Sequence, residues 1–472
     1  MRHVTDPLTS RFPAAAGLAP DAVPVELPLV HRRGATDGRL GRAFVLIVLV
    51  SWGIAAVAGY RYGVYLLTAA GFAAALIGVY RPRVGFFGIG LLCTIDPLMA
   101  WLVFSGSIPM LRWNTFNYWL LVATVLWSPM LVRRGGAPLR WAQLFGLLLV
   151  LELAMSADRA HGLQDVFGVW ALFGIVVYLT RRRFAPADWY WLGVICGTTA
   201  AGGGLLYFMA KSQLPEINPN AWAFFPVTAL FALCLALPSS FRRRGGPMLL
   251  ALLACISIAW AFLSGSRGAL LVALLCGIYF LAAMRGLGRR AVVLGIATLT
   301  FLGAASQFTD MQKFALGRMH LLLDSRTGLA DRTSHRSDLA RGGWYILRTH
   351  PLGVGTGGFN SAWREVGPHE GVRVPSFYHR LQAHAVWVKL MAENGIPGLI
   401  VAGSFVLSFA VTGWRRRRRS AQLIGLLTSA AMGVSFVSTE YQNKGIWLLA
   451  AGAIALLGRT SPLLPPTAEP GP

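Results

Sequence analysis

Three short groups of residues in the second half of the chain have the types and spacing to do chemistry together. Ser264-Gly265-Ser266-Arg267-Gly268 is a tight turn between two apolar runs, where small residues let backbones approach and one arginine is held at their boundary. Asp331-Arg332-Thr333-Ser334-His335-Arg336-Ser337-Asp338 lies in the one long polar connection, followed by Arg341, Trp344 and the run Pro351-Leu352-Gly353-Val354-Gly355-Thr356-Gly357-Gly358-Phe359. Ala383-His384-Ala385 precedes Trp387, Lys389 and Glu393. Two guanidiniums, Arg267 and Arg336, can grip a diphosphate through bidentate, charge-assisted bonds. An imidazole beside them, His384, can accept a proton from a hydroxyl near neutral pH. Asn218-Pro219-Asn220 opens another apolar run as a capped helix start with proline in its first turn, whose free N–H groups favour an anion. These are the parts for moving a group away from a lipid diphosphate, with Asn218, Asn220 and Arg341 as further substrate ligands.

Each group has a plainer alternative. Arg267 can be a snorkelling arginine that anchors a helix end. The glycine run lacks the preceding strand and the lysine of a phosphate loop, so a turn before the aromatic cluster accounts for it. His384 can be a structural interfacial histidine. Three acids lie within or at the ends of apolar runs: Asp96 before Pro97, Glu152 and Glu440. Buried acids in a membrane are costly and often functional. Glu152 stands at the depth of the outer site and is expected to join it, whereas Asp96 and Glu440 are expected to pair with a neighbouring arginine or a freed backbone N–H.

These groups are positioned by apolar segments. Of 472 residues, 55% are apolar and 13% charged, too few polar residues to cover a water-soluble fold of this length. Fourteen runs reach the length of a membrane span: 44–60, 62–80, 84–104, 114–132, 140–156, 164–180, 188–209, 219–238, 247–264, 268–284, 291–306, 396–413, 421–437 and 442–458. The formal charge of +24 is distributed in short clusters between these runs, a pattern of membrane topology rather than of nucleic-acid binding. Six loops on the N-terminal side carry nineteen Lys or Arg; the six short loops on the other side carry six. The positive-inside rule therefore places both termini in the cytoplasm and the long connection outside. The expected organisation is a disordered basic tail (1–42), eleven spans (43–306), a folded periplasmic loop (307–385), three spans (386–458) and a second tail (459–472). No cleavable signal peptide is expected in the first tail. Residues 384–394 are expected to form an outer or interfacial helix, because Asn394-Gly395-Ile396-Pro397-Gly398 breaks what would be one overlong span. The five cysteines all fall in apolar runs without metal-ligand spacing, and no metal or cofactor is expected.

In order, these elements resemble the O-antigen ligase and O-antigen polymerase family: Asn218-Pro219-Asn220, Ser266-Arg267-Gly268, Arg336 eight residues before Trp344, Pro351-Leu352-Gly353-Val354-Gly355, His384 and Glu393-Asn394-Gly395-Ile396-Pro397-Gly398. The resemblance covers roughly residues 215–410, about two fifths of the chain. It implies a GT-C-like helical fold, so that with the runs counted above the expectation is an all-α polytopic protein of twelve to fourteen spans in the bacterial inner membrane, fourteen being slightly more than the family would have. It further implies a metal-independent, inverting transfer from an undecaprenyl-diphosphate-linked glycan, with Arg267, Arg336 and His384 as the functional set. The acceptor would be lipid A-core for a ligase or a growing glycan for a polymerase. A transporter of lipid-linked glycan, to which Asp96 would point, is the competing class. It should show repeats and several charges near mid-bilayer, and the chain shows no repeat.

Overall fold

In lipid a long apolar run folds as a helix, since only the helix satisfies each backbone donor and acceptor within one segment. The computed structural model describes residues 37–104, 136–181, 184–210, 219–264, 266–284, 336–366, 385–438 and 443–458, with short stretches between 286 and 300; among these there is no strand. The helices are α1 (Asp37–Ala58), α2 (Tyr60–Ile77), α3 (Pro82–Phe104), α4 (Gly136–Leu153), α5 (Arg159–Arg181), α6 (Pro186–Ala210), α7 (Pro219–Ser240), α8 (Gly246–Leu263), α9 (Arg267–Ala283), α10 (Arg336–Thr349), α11 (Phe359–Val366), α12 (Val386–Glu393), α13 (Gly395–Arg415), α14 (Arg419–Ser438) and α15 (Lys444–Leu457). Eight are long and apolar enough to cross a membrane: α1, α2, α4, α5, α7, α8, α13 and α14; α9 and α15 are shorter apolar helices. The fold is an all-α polytopic membrane protein. Of the fourteen expected spans, 114–132 lies outside the described residues and 291–306 partly so; each of the other twelve ranges is occupied by a helix.

Close packing around α6 and α7 depends on small residues. A Cβ at Gly202, Gly203 or Gly204 would lie 2.4 Å from Trp52 of α1, 2.7 Å from Phe225 of α7 and 2.3 Å from Trp260 of α8, respectively. Three consecutive glycines on α6 thus receive aromatic rings from three neighbours. Without a hydrophobic drive between helices in lipid, such van der Waals contact is what binds them.

The arginine-bearing turns gather at one end of the bundle. Arg83 at the start of α3 pairs with Asp188 of α6 at 2.6 Å, and the second oxygen of Asp188 accepts the Ala185 N–H at 2.9 Å. The Tyr178 hydroxyl at the end of α5 donates to Pro82 O at 2.7 Å. Arg243, between α7 and α8, lies 4.5 Å over the Tyr190 ring and 5.4 Å from that of Trp191. Arg419 donates to Ala282 O at the end of α9, 3.0 Å away.

Asp96, expected to pair with an arginine or a backbone N–H, instead accepts from the buried Lys444 ammonium. The reason is geometric. α15 has 14 residues, about 21 Å of helix against about 30 Å of hydrocarbon, so its first residue lies at membrane depth, where an ammonium requires a counter-ion. Glu440 lies outside the described residues.

Candidate active site

At the opposite end, α10, α11 and α12 form a helical cap with its own small core of Leu339, Ile346, Phe359, Ala362, Trp363, Ala385, Val388 and Ala392. α10 is amphipathic. Leu339, Gly342, Gly343, Ile346 and Leu347 recur at helical spacing and are buried, whereas Arg341, Trp344 and Arg348 are exposed on the other face. Gly342 accommodates the Trp363 ring of α11, and Gly343 faces Val388 of α12.

The glycine run after α10 ties it to α12 within the cap and to the start of α13 through backbone contacts. Val354 N–H donates to Ala392 O at 3.0 Å, Gly355 N–H to Glu393 O at 2.9 Å, and Ile396 N–H to Pro351 O at 2.9 Å. Gly353, Gly355 and Gly357 all have φ near +87°, a left-handed conformation natural to glycine. A Cβ at these positions would lie 2.2 Å from Glu393 O, 2.5 Å from Ser156 N and 2.3 Å from Gly162 N. The run is therefore a turn whose glycines admit other backbones, in agreement with the turn reading and not with a phosphate cradle.

A buried polar cluster lies beneath this contact. The Thr356 hydroxyl donates to Leu149 O of α4 at 3.1 Å, and Asn394 Nδ2 donates to Thr356 Oγ1 and to the Glu152 carboxylate. Lys389 Nζ lies 2.5 Å from Asp165 of α5 and 3.9 Å from Glu393. Glu393 Oε1 accepts the Phe359 N–H at 3.3 Å. Burial pushes the Glu393 carboxyl up to about 7, against the pull of the Lys389 ammonium and with a further push from the Asp165 carboxylate. Among the described residues no three His, Cys, Asp or Glu side chains are grouped to hold a metal ion.

The sequence-predicted residues are placed as follows. Arg336 is the first residue of α10, and His384 immediately precedes Ala385, the N-cap of α12; the His384 and Arg336 side chains lie outside the described set. α10 and α12 are tied together at their C-terminal ends through Pro351–Gly355 and meet midway at Gly343 and Val388. They therefore run side by side in the same direction. Their N-terminal ends, the one bearing Arg336 and the other next to His384, face the same way, and Leu339 and Ala385 share the cap core.

Arg267 is half-buried and opens α9, after a turn in which Ser264 Oγ accepts the Ser266 N–H at 3.1 Å. α9 packs on α14. The Arg419–Ala282 bond sets their register: Arg267 is fifteen residues back from Ala282 and Val434 fifteen on from Arg419, so equal helical rise brings Arg267 level with Val434. At that level Trp387 of α12 donates its indole N–H to Gly433 O at 3.1 Å and packs edge-on against Phe436 at 5.5 Å. The start of α9 and the start of α12 thus share the last turns of α14.

Asn220 lies in the first turn of α7, with its side chain outside the described set, as is all of Asn218. Arg341 is exposed on α10. Glu152 is buried at the end of α4, where its carboxylate holds Asn394 and thereby the α12–α13 junction. Asp165 carries no signal in the sequence, and Asn394 and Thr356 stand out there only as members of the helix-breaking and glycine runs. Lys389 and Glu393 were seen beside His384, but not as an ion pair with α5.

A bundle of apolar helices with a helical cap docked on one end defines the class, a polytopic membrane protein. Residues 250–403 match the family model described as O-antigen ligase, which supports assignment of the chain to the O-antigen ligase family. The matched stretch runs from α8 into α13 and includes Arg267, Arg336 and His384; Asn218, Asn220 and Glu152 precede it. No curated protein matches the chain.

Proposed function

We propose that this protein is a membrane glycosyltransferase that moves a glycan from an undecaprenyl-diphosphate donor to an acceptor hydroxyl on the periplasmic face of the bacterial inner membrane. The observation that carries this reading is the convergence of the starts of α9, α10 and α12 at the capped end, opposite the arginine-bearing turns. The excess of basic residues at the other end supports a cytoplasmic location for that end and a periplasmic one for the cap.

In this mechanism Arg267 and Arg336 bind the donor diphosphate. The neutral imidazole of His384 accepts the proton of the acceptor hydroxyl as its oxygen attacks the anomeric carbon. The bond from that carbon to the diphosphate oxygen breaks, and the guanidiniums meet the charge growing on the leaving group. A single displacement inverts the configuration. Glu152, Asn394, Thr356 and the Lys389 cluster hold α12 in place. The first turn of α7, which holds Asn220 and follows Asn218 in the sequence, offers a further anion contact. For a ligase the acceptor is lipid A-core; a growing glycan as acceptor would make the same chemistry a polymerase.

The test is incubation of the purified protein with a lipid-linked oligosaccharide and lipid A-core. Glycan transferred to lipid A-core is the expected product, and longer lipid-linked glycans would indicate polymerisation. Arg267→Lys and Arg336→Lys should lose most turnover while the protein still inserts, because a point charge cannot replace a bidentate contact. Full activity of both variants would remove the diphosphate-binding role.

A further inference from the structure

The exposed face of α10 has no use in the mechanism above. Trp344 is 56% exposed on a helix whose opposite face is buried, with exposed Arg341 three residues before it and Arg348 four after, and half-buried Tyr345 beside it. We infer that this face lies on the outer lipid surface, with Trp344 at headgroup level and Arg341 and Arg348 on lipid phosphates.

Three observations carry the inference. First, Pro351 O is bonded to Ile396 N–H in the first turn of α13, so the end of α10 is fixed where that span enters the membrane. Second, Trp344 is seven residues before Pro351, roughly 10 Å of helical rise. With α10 inclined toward the membrane plane, as its one exposed face requires for contact with lipid, the indole lies within a headgroup layer about 5–7 Å thick. Third, the apolar surface is continuous: Leu352, beside that bond, is 65% exposed, and Ile396, Ile400, Leu407 and Val411 expose one side of α13 along its length. Indole and phenol rings prefer the membrane interface, and guanidiniums beside them pair with phosphate. Arg341, expected from the sequence to touch the substrate, is assigned here to lipid. The cap would thus be held at the depth where a lipid diphosphate lies, although the test needs no donor and does not depend on glycan transfer.

The experiment places an environment-sensitive fluorophore on Trp344→Cys in the full-length protein, reconstituted in phosphatidylethanolamine–phosphatidylglycerol nanodiscs. The five native cysteines are buried, and the unsubstituted protein serves as the labelling blank. Leu407→Cys provides a lipid reference and Arg418→Cys an aqueous one. The inference predicts that the label at 344 is quenched more by lipid doxyl-labelled at carbon 5 than at carbon 12, and at least threefold less by iodide than the label at 418. Iodide quenching equal to that at 418, with no doxyl effect, would overturn it and leave this face open to a water-borne ligand such as a glycan.

Discussion

At the arginine-bearing end, glycines also admit backbone at Gly78–Gly85 and Gly413–Gly425, but the polar links between turns are made by arginines that water still reaches: Arg83 on Asp188, Arg243 over two rings, Arg419 on a carbonyl. At the capped end turns meet through backbone, with glycines admitting carbonyls and amides, and through ion pairs closed off from solvent. The first kind of contact orients helices and tolerates change. The second fixes one segment against three others, and leaves little freedom to the helix that follows His384.

This difference can be broken or sharpened by substitution. The largest loss is expected for Lys389→Met, which leaves the Asp165 and Glu393 carboxylates buried without their cation. Breaking such a pair costs about 3–5 kcal/mol, readable as a lowered unfolding temperature in detergent. The effect should depend on pH. The Glu393 carboxyl stands at about 7 against an ordinary 4.5, so between those values the native state holds a proton that the unfolded chain has lost. Stability should therefore fall as pH rises from 4.5 to about 7, and more steeply in Lys389→Met. A pH-independent difference would show that Glu393 is not part of the cluster.

Next in size is Gly355→Ala, which combines a φ of +88° with a Cβ 2.5 Å from Ser156 N and should cost about 1–3 kcal/mol. Gly245→Ala, at φ +73° with nothing within 4 Å, should cost only the left-handed strain, about 1 kcal/mol. Equal losses at the two positions would mean that the cap is not tightly docked. The smallest effect is expected for Arg83→Met. Its side chain is about one-third exposed, and Asp188 keeps its bond to Ala185 N–H, so a change of at most about 1 kcal/mol is predicted by the same unfolding assay.

Span length made the helices legible in the sequence, since an apolar run in lipid has only one way to satisfy its backbone. The break at Asn394-Gly395 likewise announced that α12 and α13 are separate helices. The docking of the cap was not legible, because it depends on which backbones meet across distances of two hundred residues, as Thr356 and Leu149 do. Nothing in the sequence marks Asp165, whose role appears only with Lys389 beside it. One signal was present and unused: the chain has only four lysines among 43 basic residues, and two of them, Lys389 and Lys444, are the buried partners of Asp165 and Asp96. A compact ammonium fits such an enclosed pair where a guanidinium would need more acceptors.

The central claim, that the capped end carries base-assisted glycan transfer, is tested most directly by turnover and donor affinity of His384→Ala between pH 5.5 and 8. The account predicts turnover lower by roughly 10²–10⁴-fold with donor affinity nearly unchanged, and wild-type turnover that falls as pH drops below about 6.5. Full turnover in the variant, or weakened donor binding together with wild-type activity that improves at low pH, would contradict it.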